Sequence, residues 1–369
     1  MRIRKFLKQI IIISTLFLLA NASIAQSQDV NALHETARSF MRQGDFENAQ
    51  LVLDKALTIA PDNLDLLKDQ AFVDYLKRDF SGSIEVGKKI TARPDADVQS
   101  FQILGLAYKA IAMDKERDKM YKDALKKFPS SGVLYSEYGE LLSSAGNAAA
   151  AIKEWEKGIE TDANYSGNYY YASKYYAVKG NAIWGLLYGE IFINIESLSK
   201  RTEEIKTLIY TGYQKLFTDL SALDAARKTG TPFEKNVADN FQKLSSIMYQ
   251  GVTPESLTAF RARFVLNWYN SEGKKYPFRL FEHYRQLLQD GYFESYNQWL
   301  CGPIIDSKKY SIWVQNHSDD VKSFQQFQRI PEPRKVQIVV EHRKNGLFLR
   351  RRRGKRNQGF RGFLDQSGV

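Results

Sequence analysis

Cysteine is nearly absent from this chain: Cys301 is the single thiol in 369 residues. One cysteine excludes an intramolecular disulfide and any zinc cage built on paired thiolates. Histidine is almost as scarce. His34, His283, His317 and His342 stand far apart, and His34-Glu35 has no second histidine four positions after the first, so the helical zinc-hydrolase motif is missing. There is no glycine-rich phosphate loop closing on Lys-Ser or Lys-Thr, and no Gly-x-Ser-x-Gly elbow. The adjacent carboxylates Glu203-Glu204 and Asp319-Asp320 read as solvated helix faces or caps. Cys301, close to Trp299, reads as packing on an apolar helix face rather than as a nucleophile. These absences point away from an enzyme and call for no metal and no cofactor.

What the chain does have is a ladder of small residues at a fixed step of 34: Ala37, Ala71, Gly105, Gly139 and Ser173. Pro61 and Pro129, Ala56 and Ala124, and Phe40 and Tyr108 keep the same phase two steps apart, and Phe46 and Phe80 keep it one step apart. Such a period is the signature of stacked helix–turn–helix units. The small residues let the two helices of a unit approach closely, while Leu33, Phe40, Phe101 and Tyr108 fill the space one or two helical turns away. Gly44 and Gly146 are placed to end a first helix in a left-handed conformation, and Pro61 and Pro129 to open the next connection. One helix pair buries too little surface alone, so neighbours must stack.

The residues carry a family resemblance. In Val98–Ser131 the order is Phe101, Leu104-Gly105, Tyr108, Ala124 and Pro129, with the central Ala-x3-Phe altered to Arg117 and Tyr121. Val30–Asn63 has Leu33, Thr36-Ala37, Phe40, Gly44, Ala49, Leu53, Ala56 and Pro61, and Gly132–Tyr165 has Tyr135, Tyr138-Gly139, Leu142, Gly146, Ala151 and Trp155. This pattern resembles the tetratricopeptide-repeat family. Leu64–Asp97 departs from it at Ser83 and Pro94, and Ser166–Ser199 keeps Tyr169, Tyr176 and Gly180 but puts Gly185 and Gly189 inside its second helix. The resemblance implies an all-α, right-handed helix–turn–helix solenoid of about five repeats over residues 30–199, with a concave face that binds a protein or peptide.

Beyond the array a helical region is expected over 200–328. Lys200–Leu220 reads as one amphipathic helix, Ala222–Pro232 as a connection, Phe233–Tyr249 as a helix, and Thr253-Pro254 as the cap of another. Residues 277–302 look like one degenerate repeat turning at Gly291. The region is similar to the helical C-terminal part found after repeats in exported Bacteroidota proteins of unknown function.

Charge sits at the two ends. Residues 329–369 hold 12 Lys plus Arg against 3 Asp plus Glu, net +9, and residues 1–25 carry +4, which leaves −2 of the total +11 for the body between them. Arg2, Arg4, Lys5 and Lys8 precede the apolar run Ile10–Ala20 and the small residues Ser23 and Ala25, the layout of an export signal cleaved after Ala25. The run is short for a membrane anchor, the competing reading. A periplasmic protein is therefore expected, with a secreted one as the alternative. In the tail, Arg350, Arg351, Arg352, Arg353, Lys355 and Arg356 form a basic run among Phe348, Phe360 and Phe363. It reads either as a solvated, flexible extension or as a docking element for anionic lipid or acidic glycan, nucleic acid being the less available polyanion outside the cytoplasm.

Ligand contacts are expected on the first helix of each repeat, at His34 and Arg38, Lys68 and Phe72, Gln102 and Leu106, Ser136 and Glu140, and Tyr170 and Lys174. The paired Lys/Arg pattern by which some tetratricopeptide domains clamp a terminal carboxylate is absent. The sequence thus leads to a non-enzymatic scaffold that binds another envelope protein or an extended peptide, or else associates with an anionic surface through its tail.

Overall fold

A computed structural model describes residues 29–271 and 275–329. The expected export segment and basic tail lie outside these residues. The described chain is helical throughout, without strands, and divides into two compact units at Tyr175/Tyr176, inside the ninth helix.

The first unit is a run of antiparallel helix pairs. A helix over residues 29–43 (α1) pairs with Phe46–Ile59 (α2); Leu64–Leu76 (α3), Phe80–Thr91 (α4), Val98–Ala110 (α5), Asp114–Lys127 (α6), Gly132–Ser144 (α7) and Ala148–Thr161 (α8) continue the alternation, and Ser166–Lys179 (α9) carries the chain into the second unit. Short polar residues start most of these helices. Asp45, Asn63, Asp79, Asp97, Ser131 and Asn147 each accept a hydrogen bond from a backbone amide of the first turn that would otherwise lack a partner.

The turn inside each pair is set by one left-handed residue. Gly44, Arg78, Ala112, Gly146 and Gly180 have φ of 75°, 65°, 55°, 81° and 84°, and they are spaced 34 apart without exception. The expectation at Gly44 and Gly146 is met. Arg78 and Ala112 hold the same conformation although an L side chain resists it, so the stacking of the flanking helices imposes the turn there. Close approach is the second constraint. A Cβ at Gly105 would lie 2.5 Å from the Tyr121 hydroxyl, and one at Gly139 would collide with the Trp155 indole. Ala107, Ala124 and Leu134 are fully buried in one cluster with Tyr121, and Ala37, Leu53 and Ala71 are fully buried in the earlier pairs.

The second unit contains Ala182–Ile195 (α10), Lys200–Thr218 (α11), Ser221–Thr229 (α12), Pro232–Lys243 (α13), a 3-10 turn at Ser245–Met248, Pro254–Asn270 (α14), Arg279–Gln289 (α15), Phe293–Ile305 (α16), Ser307–Asn316 (α17) and Ser318–Arg329 (α18). The expected connection over 222–232 is instead mostly helix. Asp219 accepts from the amide and hydroxyl of Ser221 and launches α12, whose Leu223 is buried; the Thr229–Pro232 punctuation marks only its end. The helix expected through Tyr249 stops at Lys243, because the Ser245 hydroxyl donates to the Gln242 carbonyl at 2.8 Å and the backbone tightens into the 3-10 turn. Thr253 caps α14 with Pro254 in its first turn, as expected, and Gly291 turns the 277–302 pair with φ of 77°.

Helix α10 is buried on every side from Ile183 to Ile193, and the one charge on it, Glu190, organises the unit. Arg261 Nη2 lies 2.6 Å from Glu190 Oε1, with both side chains only 1% exposed. Tyr213 donates to Glu190 Oε1 at 2.8 Å, Tyr296 donates to Oε2 at 3.2 Å, and Tyr284 makes a short hydrogen bond to Oε2. Asn297 accepts from Arg261, whose guanidinium also lies 4.9 Å from the Tyr213 ring centre. Four helices thereby converge on one carboxylate. An aromatic cluster of Phe233, Phe264, Trp268 and Phe281, in contact with one another both edge to face and stacked, adjoins the network through Phe281 and Tyr284.

Two sets of variants test these constraints by thermal and urea unfolding. Ala112→Gly relieves the left-handed strain and raises stability by about 1 kcal/mol, whereas Gly105→Leu overpacks the α5–α6 contact and lowers it by about 1–3 kcal/mol. An unchanged midpoint for both contradicts the account of the turn and the approach. In the second unit Arg261→Met strands the Glu190 charge and costs about 3–5 kcal/mol, and adding Glu190→Leu recovers much of the loss. Simple additivity of the two changes would show that the ion pair does not hold the unit together.

A candidate binding groove along the first helices

The first helices of successive pairs are neighbours, and their polar side chains join them in series. Asp69 on α3 lies 2.7 Å from His34 Nε2 and 2.8 Å from Arg38 Nε, both on α1. From α3, Lys68 Nζ reaches Asp97, the cap of α5, at 2.7 Å, as well as Asp65 at 2.8 Å. From α5, Gln102 donates to Glu137 on α7 at 2.8 Å and Lys109 to Glu140 at 2.8 Å. His34–Asp69 and Gln102–Glu137 are the same contact two repeats apart, each spanning 35 residues. The spacing follows from the fold: one repeat plus one residue brings side chains of adjacent first helices face to face.

This places the expected ligand contacts. Arg38 and Gln102 lie half-buried on the ladder, and Leu106 and Glu140 are half-buried beside them. Lys68, Ser136 and Tyr170 are buried, and Phe72, 3% exposed, packs on Tyr75. Lys174 Nζ sits 4.8 Å above the Tyr170 ring centre and 3.1 Å from its hydroxyl, while Tyr171 stacks on Trp155 at 5.1 Å. The surface open along α1, α3, α5 and α7 is therefore mostly charged and amide groups that already engage one another. Arg350–Arg353, Lys355 and Arg356 lie outside the described residues.

Electrostatics tie the ladder down. Burial pulls the Lys68 ammonium toward neutrality, but its bonds to Asp65 and Asp97 outweigh that and hold its pKa above the usual lysine value. Asp97 is correspondingly held below the usual carboxylate range: the contribution of burial is opposed and overcome by Lys68 and the Ser100 amide. Glu140 is among the contacts expected from sequence, whereas Asp69, Asp97 and Glu137 are not: Asp97 caps α5, and although Asp69 and Glu137 stand two repeats apart, the role of each depends on a partner about one repeat away. Arg117 and Tyr121 did leave a signal, as the altered Ala-x3-Phe of the third repeat. Both are buried behind the ladder, with the Tyr121 hydroxyl donating to Glu137 at 3.1 Å.

In-phase 34-residue helix pairs, a left-handed turn residue in each, and the small-residue approach between helices define tetratricopeptide repeats. The helix pairs of this chain have the tetratricopeptide-repeat fold. No family model matches the chain. It is 26% identical over 211 residues to human tetratricopeptide repeat protein 21B, which covers 55% of this chain but 16% of that protein, so the chain spans about a sixth of the curated relative it matches. Among solved structures it is similar to Pseudomonas aeruginosa pilF, with 15% identity, 59% of this chain and 99% of that chain covered, and a TM-score of 0.45. It is also similar to a tetratricopeptide repeat protein from Parabacteroides merdae, with 14% identity, 70% and 98% coverage, and a TM-score of 0.40.

On α3, away from the ladder, Asp74 is pushed up to about 6 by burial first and by the Asp79 charge second. Its folded pKa exceeds the unfolded value near 4, so the native state holds a proton there that the unfolded chain has released, and stability falls as pH rises from about 4 to 6. The expected loss across that window is of order 2 kcal/mol. Urea unfolding between pH 4 and 7 reads it: Asp74→Asn should flatten the window and be the more stable protein at pH 7. A variant with the parent's pH slope would assign the titration elsewhere.

Proposed function

We propose that the chain is a binding scaffold whose first unit holds an extended peptide or a segment of another protein along α1, α3, α5 and α7, in the cell envelope. The observation that carries this reading is the polar ladder. Arg38, Gln102, Lys109 and Glu140 stand on α1, α5 and α7, and the contacts His34–Asp69 and Gln102–Glu137 recur two repeats apart, which suits a ligand that runs across the helices and exchanges hydrogen bonds with several of them. The ladder sets Arg38, Lys68 and Lys109 against Asp65, Asp69, Asp97, Glu137 and Glu140, so specificity would rest on hydrogen-bond pattern rather than on bulk attraction of an anion. Export supports the envelope assignment through the sequence of residues 1–25 alone.

A second reading is favoured by charge: residues 329–369 carry 12 basic against 3 acidic residues, a composition that suits anionic lipid or acidic glycan. Ionic strength separates the two. Attachment through the tail weakens steeply with salt, while groove binding changes less.

The experiment is affinity capture from the native envelope with the parent protein, with Arg38→Glu/Gln102→Glu, and with a chain ending at Gln328. Groove recognition predicts a captured chain that is lost with the double variant and kept with the truncation. The converse result, or a partner retained by both, would remove the groove from the mechanism.

A further inference from the structure

Arg117 stands where the repeat pattern calls for a small residue, on the second helix of the third pair, and its side chain is only 4% exposed. Its Nε has no hydrogen-bond partner. The facing carboxylate, Glu140, places Oε2 3.9 Å from Nη2, beyond hydrogen-bond reach. Glu140 Oε1 is instead bonded to Lys109 Nζ at 2.8 Å. A desolvated guanidinium with an empty N–H costs free energy, and the edge formed by Nε and Nη2 matches a carboxylate, with two parallel hydrogen bonds. The aromatic neighbour makes the placement firm: the guanidinium lies 5.6 Å from the Tyr121 ring centre, and the Tyr121 hydroxyl is fixed by Glu137, itself bonded to Gln102.

We propose that the seam between α5 and α7 is a receptor for an acidic side chain of the bound peptide, a refinement that rests on the groove reading above. Arg117 is the fork at its base, Lys109 the cation at its mouth, and Glu140 the internal carboxylate that a ligand displaces. Glu140 is one-third exposed and Lys109 about half exposed, so both can swing outward. The incoming carboxylate accepts two hydrogen bonds from Arg117 and one from Lys109, where Glu140 accepts only the last. An Asp or Glu side chain flanked by extended backbone fits this chemistry; an amide of the same shape does not, since its NH2 would face the guanidinium.

The test is a cellulose-bound array of extended decapeptides in which each member containing Asp or Glu is matched by its Asn or Gln twin. It is probed with the full chain, and bound members are remeasured by fluorescence anisotropy. Acidic members should outbind their twins by about tenfold or more. Arg117→Lys, which keeps charge but loses the fork, should abolish that discrimination. Glu140→Gln, at a half-buried surface position that leaves the core intact, should tighten the acidic members alone because it removes their competitor, and this gain is one that a purely structural arginine would not produce. Circular dichroism checks that both variants are folded; should Arg117→Lys fail to fold, the Glu140→Gln result decides. Peptides that bind without acid–amide discrimination, or a Glu140→Gln protein with unchanged preference, overturn the receptor and leave the groove reading standing. An array on which no member binds overturns both.

Discussion

A single left-handed residue every 34 positions sets the direction in which each second helix of the repeat array returns along the first. Where that residue is glycine, as at Gly44 and Gly146, the backbone accepts the turn without strain; at Arg78 and Ala112 the same φ is held against the preference of the side chain. The cost is tolerated because the turn fixes the register in which Gly105 meets Tyr121 and Gly139 meets Trp155. With that register set, the first helices fall side by side, and the contacts His34–Asp69 and Gln102–Glu137 follow one repeat plus one residue later. The polar ladder is thus a consequence of the turn.

The second unit solves its packing differently. It is built around α10, which is buried on all sides and carries one carboxylate, and the interaction of Glu190 with Arg261, Tyr213, Tyr284 and Tyr296 ties helices α10, α11, α14, α15 and α16 to a common point. A charge so placed adds little net stability, but it penalises every arrangement in which a partner is missing. Aromatic side chains such as Phe264, Trp268 and Phe281 fill space in many ways, and the buried polar centre selects one of them. The two units therefore contrast: one gains its uniqueness from periodic backbone geometry, the other from a single desolvated network.

The same contrast bears on function. A periodic array offers repeated, nearly equivalent surfaces, and what distinguishes one site from the next is departure from the repeat. Arg117 and Tyr121 are such a departure, because they carry polar groups through the helix pair to a face otherwise lined by side chains that satisfy each other. Lys68 lies on the same face but is already held by Asp65 and Asp97, which leaves it little to give a ligand.

By itself the sequence determined the helix pairs, their 34-residue phase, the turns at Gly44 and Gly146, and the close approaches at Gly105 and Gly139, because each is local: a missing Cβ or a backbone preference acts within one repeat. It also marked Arg117 and Tyr121 as unusual. It did not determine that Ala112 and Arg78 would turn left-handed, since the neighbouring helices impose that, nor that 222–232 would be mostly helix, since Leu223 needed a core to enter. Which groove side chains stay half-exposed, as Arg38 and Gln102 do, and which are buried, as Lys68, Phe72 and Tyr170 are, was decided only by tertiary structure. The network at Glu190 was decided there as well: a lone acid in the run Ala182–Ile195 shows in sequence as an anomaly, and its partners, 23 to 106 residues away, are chosen by the packing that removes it from water.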